Sequence, residues 1–165
     1  MSFTEIAYAG WGRALRAQGP VARPESADEL AGLPPAPAAG LRRSYGDAAL
    51  NDGGQMIDMS RMTRLLAFDP ETGDLTLEAG ARIGDIAALM APRGWLPAVM
   101  PGTGFATVGG CIGQDVHGKN HHVAGSFGAH VTAIDLIQPG GRVTTRPGEA
   151  LFRATCGGLG QTGLI

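Results

Sequence analysis

Two glycine loops constrain this chain more than any other feature. The first is Gly40-Leu41-Arg42-Arg43-Ser44-Tyr45-Gly46-Asp47; the second opens at Pro101-Gly102-Thr103-Gly104 and closes on His117-Gly118-Lys119-Asn120-His121-His122. Both set backbone N–H groups beside basic or hydroxyl side chains, the arrangement with which a protein grips a diphosphate. With 27 Gly and 11 Pro in 165 residues, the chain is expected to be globular but rich in tight turns.

A chain of this length favours one domain and buries roughly 70% of its unfolded surface. The net charge of -2 and a pI near 6.0 argue against a nucleic-acid or anionic-membrane footprint, which needs clustered positive charge. Any bound anion is therefore expected to be small and locally held. Cys111 and Cys156 have no C-x-x-C spacing and read as small buried apolar residues. The amino terminus lacks a basic segment followed by an apolar run, and no stretch approaches a membrane span. The expectation is a cytoplasmic protein.

Along the chain, Gly10-Trp11-Gly12-Arg13 reads as a compact turn, and a brief helix is expected near Ser26. Leu33-Pro34-Pro35-Ala36-Pro37 cannot continue a helix, because each proline removes a donor and restricts the residue before it. Met56 to Met59 reads as a short strand. Leu65–Phe68 and Leu75–Ala79 flank Asp69-Pro70-Glu71-Thr72-Gly73 as a hairpin with alternating side chains. Ile83, Ile86, Ala87 and Met90 recur at helical spacing, with Gly94 as the stop, so an amphipathic helix is expected on that hairpin. A second hairpin turns at Pro139-Gly140-Gly141. Gly157 to Gly163 read as loop and Leu164-Ile165 as the opening of a strand, from which a truncated chain is expected.

Three glycine patterns invite nucleotide readings. Gly113 to Lys119 fits most of G-x-x-x-x-G-K-[ST], but Asn120 stands where a magnesium-binding hydroxyl belongs, and Gly125 and Gly128 make a poor first helix turn. Gly158-Leu159-Gly160-Gln161-Thr162-Gly163 matches G-x-G-x-x-G with only two residues after it and no helix to hold a pyrophosphate. Gly102-x-Gly104 lacks its third glycine. His117 and His121 lie four apart without an intervening acid, so no metal site is expected. Ser44 and Ser126 have no base at a diagnostic spacing.

Taken together, Arg43-Ser44-Tyr45-Gly46-Asp47, Asn51, Ile57-Asp58-Met59, Pro101-Gly102-Thr103, Thr107-Val108-Gly109-Gly110 and His117-Gly118-Lys119-Asn120-His121-His122 resemble, in order and spacing, the flavin domain of decaprenylphosphoryl-ribose 2-oxidases. These are FAD proteins of the vanillyl-alcohol-oxidase type, and the resemblance extends from Gly10 to Ile165. It implies an α+β fold, a PCMH-type FAD-binding domain of two small α+β subdomains. Residues 1–60 would form a reduced first subdomain and 61–165 an incomplete second one, with the C-terminal substrate domain absent.

By the same resemblance Gly40, Leu41, Arg42, Arg43, Ser44, Tyr45, Gly46, Asp47 and Ala48 would wrap the pyrophosphate. Gly102, Thr107, Val108, Gly109 and Gly110 would form the second wall, with Thr107 capping a short helix aimed at the diphosphate. Gln114, Asp115, Val116 and His117 would run beside the flavin, and Ile165 would meet the adenine. His117 and Lys119 are the local catalytic candidates, near the ring or a substrate phosphate.

Relatives that tether FAD covalently place a histidine where Tyr45 stands, so dissociable FAD is implied. Arg42 stands where the family usually has glycine, and the segment before Gly40 is short where relatives carry a helix and a strand. The implied reaction oxidises a secondary sugar hydroxyl to a ketone, with hydride passing to flavin N5. The implied partners are a phosphorylated or lipid-linked sugar, an acceptor such as a quinone or oxygen, and an epimerase partner reductase. Membrane association would come only through a lipid-linked substrate. The alternatives are a flavin-binding module without turnover, or another FAD-linked sugar or lactone oxidase.

Overall fold

A computed structural model describes residues 2–165. The first sheet is built from β1 (Thr4–Ala9), β2 (Arg16–Ala22), β3 (Ala38–Ala39) and β4 (Met56–Asp58), in the order β1-β2-β4-β3. β1 and β2 are antiparallel, whereas β4 runs parallel to both β2 and β3. β4 is therefore the inner strand, and Met56 and Ile57 are buried on its two faces. The Tyr8 hydroxyl donates to the Asn51 carbonyl and accepts from the Asn51 N–H, which ties the segment before β4 to β1.

The β1–β2 hairpin is a departure from the sequence reading, which saw only the turn at Gly10–Arg13. The buried face of β2 is carried by Ala17, Gly19 and Val21, residues too small to give a strong alternation signal. Gly19 is required there, because a Cβ would stand 2.6 Å from the Gly54 carbonyl oxygen. The short segment before Gly40 does hold a helix and a strand, both abbreviated. Helix α1 (Ala27–Ala31) is capped by Ser26, whose hydroxyl accepts the Glu29 N–H, and β3 has two residues.

The remaining sheets are hairpins. β5 (Leu65–Phe68) pairs with β6 (Leu75–Leu77) across a bulge. Helix α2 (Ile83–Met90) packs Ile83, Ile86 and Met90 against Phe68, Leu75 and Leu77. It runs into a 3-10 turn that ends at Gly94, whose φ of 83° is the left-handed stop expected of glycine. The expected alternation fails in β5, since Leu65 and Leu66 are both exposed.

β7 (Ile134–Gln138) pairs with β8 (Gly141–Thr145). It packs Ile134 and Leu136 against Ile112 of helix α3 (Val108–Gly113) and Phe152 of helix α5 (Ala150–Thr155). Leu164 exchanges two backbone hydrogen bonds with Ile137, adding a bridge to the edge of this hairpin. Cys111 is fully buried in α3, and burial pushes its thiol up to about 12. It acts as a small apolar residue. Among the described residues no helix is long and apolar enough to cross a membrane.

Candidate functional site

The two glycine loops face each other across a cleft of about 580 Å³. They meet closely at one point. A Cβ on Gly40 would run into the side chain of Thr107. Thr107 is the N-cap of α3, its hydroxyl accepting the Gly110 N–H at 3.3 Å. Gly109 also lies close to Ala79, where an added Cβ would stand 2.9 Å from that residue's methyl group.

The two walls differ in the hydrogen-bonding capacity they leave free. From Leu41 to Asp47 no backbone N–H donates to a protein acceptor among the described residues. On the opposite wall the Val108 N–H donates to the Ala81 carbonyl and the Gly109 N–H to the Ala79 carbonyl, while Gly110 serves the Thr107 cap. The helix end expected to supply donors has therefore spent its first-turn amides on β-side neighbours and on its own cap. Its glycines contribute close approach, not donors.

Two arginines stand behind the first loop. Arg43 Nη1 donates to the Leu41 carbonyl, and the guanidinium lies 5.0 Å from the Trp11 ring and 5.4 Å from the Phe105 ring. Arg42 adopts a φ of 52°, and its Nη2 lies 3.3 Å from Asp58 Oδ2. Arg23 Nε reaches the same oxygen at 3.2 Å. Burial alone would raise the Asp58 carboxyl, but hydrogen bonding to Ser60 and the charges of Arg42 and Arg23 more than offset it and hold it below the ordinary carboxylate value. The Nε atoms of Arg42 and Arg43 are buried without a partner. Among the described residues Arg43 pairs with no carboxylate, and an anion in the cleft would provide the acceptor its buried Nε lacks.

The His117 to His122 run folds back on itself. His117 forms an isolated bridge with Ser126, and the Asn120 side-chain amide donates to the Ala98 carbonyl. Gly118 must be glycine, since a Cβ would stand 2.8 Å from the Met100 carbonyl oxygen. The short helix α4 (His121–Ala124) then follows. The His117 and His121 rings lie 5.1 Å apart. Asp115, with a φ of 41°, accepts the Gly128 N–H at 2.8 Å and so fixes the approach to His117.

The family described as the FAD binding domain matches residues 21–146. The chain belongs to that FAD-binding family. It is 47% identical to decaprenylphosphoryl-beta-D-ribose oxidase of Mycolicibacterium smegmatis over 78% of this chain and 29% of the relative. It is also 27% identical to D-lactate dehydrogenase of Anaerostipes hadrus over 81% of this chain and 30% of that protein. The chain thus spans about a third of the length of the curated relatives it matches. A solved structure of alkyldihydroxyacetonephosphate synthase shares the fold, with a TM-score of 0.80 over 93% of this chain and 31% of that one at 17% identity. The resemblance carried by the two glycine loops and the α+β, PCMH-type fold it implied are both borne out.

The cleft fits the FAD of this family. One wall would offer unpaired amides and the unpartnered Arg43 Nε to a diphosphate, and the other would admit it closely at Gly110. Of the residues singled out from the sequence, Gly40, Leu41, Arg42, Arg43, Ser44, Tyr45 and Ala48 line the cleft on the first side. Gly102, Thr107, Gly109 and Gly110 line the second, and Gln114, Asp115, Val116, His117 and Ile165 also line the cleft.

Gly46, Asp47, Val108 and Lys119 are not part of the lining. Val108 packs into the core instead, against Ile112 and the α2 cluster. Lys119 is exposed two residues beyond His117. The sequence reading missed Trp11 and Phe105, which stack on Arg43, and Leu159, Gly160 and Gly163, which also line the cleft. The Gly158-x-Gly160-x-x-Gly163 pattern was the available signal. Its loop donates the Gly157 and Leu159 N–H groups to the carbonyls of Ile112 and Gly113, buttressing the end of α3.

Proposed function

We propose that this chain is the flavin domain of an oxidoreductase that oxidises a secondary hydroxyl of a phosphorylated or polyprenyl-phosphoryl sugar to a ketone. The observation that carries the reading is the run of unpaired amides from Leu41 to Tyr45, backed by the buried Nε of Arg43, facing the glycine wall at Gly109 and Gly110. Bound FAD would accept hydride at N5 and pass electrons to a quinone or to oxygen. The chain's own residues bind and orient. The Leu41 to Tyr45 amides and the Ser44 hydroxyl would hold the diphosphate, and Arg43, braced on Trp11 and Phe105, would add its charge.

Gly110 would keep a side chain out of the path of the cofactor, while Gly40 and Gly109 let the backbone close on Thr107 and Ala79. His117, which lines the cleft, would shape the flavin-ring region, and the exposed Lys119 two residues on would meet a substrate phosphate. The similarity to a ribose oxidase supports the sugar class. In this reading residues 1–60 and 61–165 are the two subdomains, and a substrate domain outside this chain completes the active site. A lipid-linked substrate would bring the protein to a membrane surface without a span.

Tyr45, 84% exposed at the cleft, replaces the histidine that anchors flavin covalently in some relatives. The purified protein is therefore expected to be yellow and to release all its FAD on acid or heat precipitation. Flavin absorbance that stays with the precipitated polypeptide would contradict a non-covalent site. A colourless protein that binds no added FAD would contradict the flavin reading itself.

A further inference from the structure

The diphosphate loop holds its left-handed turn on an arginine. Arg42 has a φ of 52°, a region that disfavours every residue with a Cβ, so the side chain must be held by something that outweighs the strain. It is held twice. Its Nη2 lies 3.3 Å from Asp58 Oδ2, and its guanidinium carbon stands 4.9 Å from the centre of the Tyr8 ring, leaving the side chain only 16% exposed. Both anchors belong to the first sheet. Tyr8 is fixed on β1 by its two hydrogen bonds with Asn51, and Asp58 ends the inner strand β4. The Asp58 side chain is 4% exposed, with Oδ1 accepting the Ser60 N–H and Oδ2 facing Arg23 as well as Arg42.

We propose that Asp58 is a positioning residue for FAD: from the inner strand its carboxylate holds the Arg42 side chain, and through it keeps the Gly40 to Asp47 loop in the turn that lines the cleft. The proposal rests on the flavin reading of that cleft. It differs from a direct role of Arg42 on the phosphates, because Nη2 is turned to Asp58, and what the loop needs from position 42 is a left-handed backbone.

Glycine and alanine at position 42 separate these roles, since glycine takes the left-handed turn without an anchor and alanine does not. FAD affinity is measured by flavin fluorescence titration on the whole chain. Arg42→Gly is expected to bind within about twofold of the parent and Arg42→Ala about tenfold more weakly, the strain of a left-handed residue and a tenfold equilibrium change being of similar size. Asp58→Asn keeps an oxygen for the Ser60 N–H but removes the charge facing Arg42, and is also expected to lose about tenfold. Adding Arg42→Gly to Asp58→Asn should restore binding.

Equal affinities for the glycine and alanine variants would overturn the proposal, as would a double variant as weak as Asp58→Asn. A parent chain that takes up no FAD would remove the flavin reading instead. In that case, tryptic cleavage after Arg43 still decides the structural claim. It should be about tenfold faster in Asp58→Asn than in the parent if Asp58 holds the loop, and unchanged if it does not.

Discussion

At the residue scale the cleft depends on what glycine leaves out. Gly110 shows this most simply. An added Cβ there meets only the Thr107 hydroxyl beyond its own helix, at 3.1 Å, and Gly110 itself lines the cleft. Gly110→Val would therefore place its branches where the diphosphate passes, while the buried core stays as it is. FAD affinity should fall by about tenfold or more, with the melting temperature of the FAD-free protein within a few degrees of the parent. Unchanged affinity in a fluorescence titration would take this wall out of the site. The cause assigned here is lost space, since the Gly110 N–H already serves the Thr107 cap. The motifs in the sequence pointed to the residues of this wall but not to where their amides are spent. Hydrogen bonds from Val108 and Gly109 to Ala81 and Ala79 are tertiary pairings that no local pattern shows.

At the scale of elements, α3 and the first loop form one unit, joined where Gly40 meets Thr107. Gly40→Ala would drive its methyl group into the Thr107 side chain. Either the cap breaks or the two walls part. Losing the cap costs about 1 kcal/mol and overpacking about 1–3 kcal/mol, so Gly40→Ala should lower both thermal stability and FAD affinity, unlike Gly110→Val. Adding Thr107→Ala should relieve the clash, so that the double variant is more stable than the sum of the single losses predicts. Strict additivity in thermal melts would show that the two residues do not press on each other.

Elements with strong local signals were legible from the sequence. α2 announced itself by Ile83, Ile86 and Met90, and both later hairpins by their turns. The β1–β2 hairpin was not legible, because its inward face is made of small residues and β2 carries Gly19 and Pro20. Nor could α5 be separated from the polar run before it. The loop that brings Leu159 to Gly163 to the cleft is tied to α3 by hydrogen bonds across more than forty positions of sequence.

For the molecule as a whole, the first sheet and the cleft share one buried charge, and this gives folding a particular response to acid. Asp58 is 3% exposed and its carboxyl is held below the ordinary value near 3.8 by Ser60, Arg42 and Arg23, against the opposing effect of burial. A carboxyl whose folded pKa is depressed binds its proton more readily when the chain is unfolded. Its contribution is therefore fully present above the unfolded value and is lost as the pH falls through the folded one. Asp135 is also lowered, chiefly by its hydrogen bond to Thr144 and further by Arg142, against burial. Its side chain is 48% exposed, so solvent screens most of its effect. Asp58 should thus dominate the acid limb. Thermal melts are expected to hold their midpoint from neutral pH down to about pH 5 as far as these two carboxylates are concerned, and to fall steadily below it. Asp58→Asn removes the titrating group while keeping an acceptor for the Ser60 N–H. Its midpoint should be lower than that of the parent at pH 7, and the two curves should converge as the pH drops below 4. Parallel curves from pH 7 to pH 3 would mean that Asp58 carries no linked proton. The Arg42–Asp58 pair would then have to be regarded as a packing contact between loop and sheet.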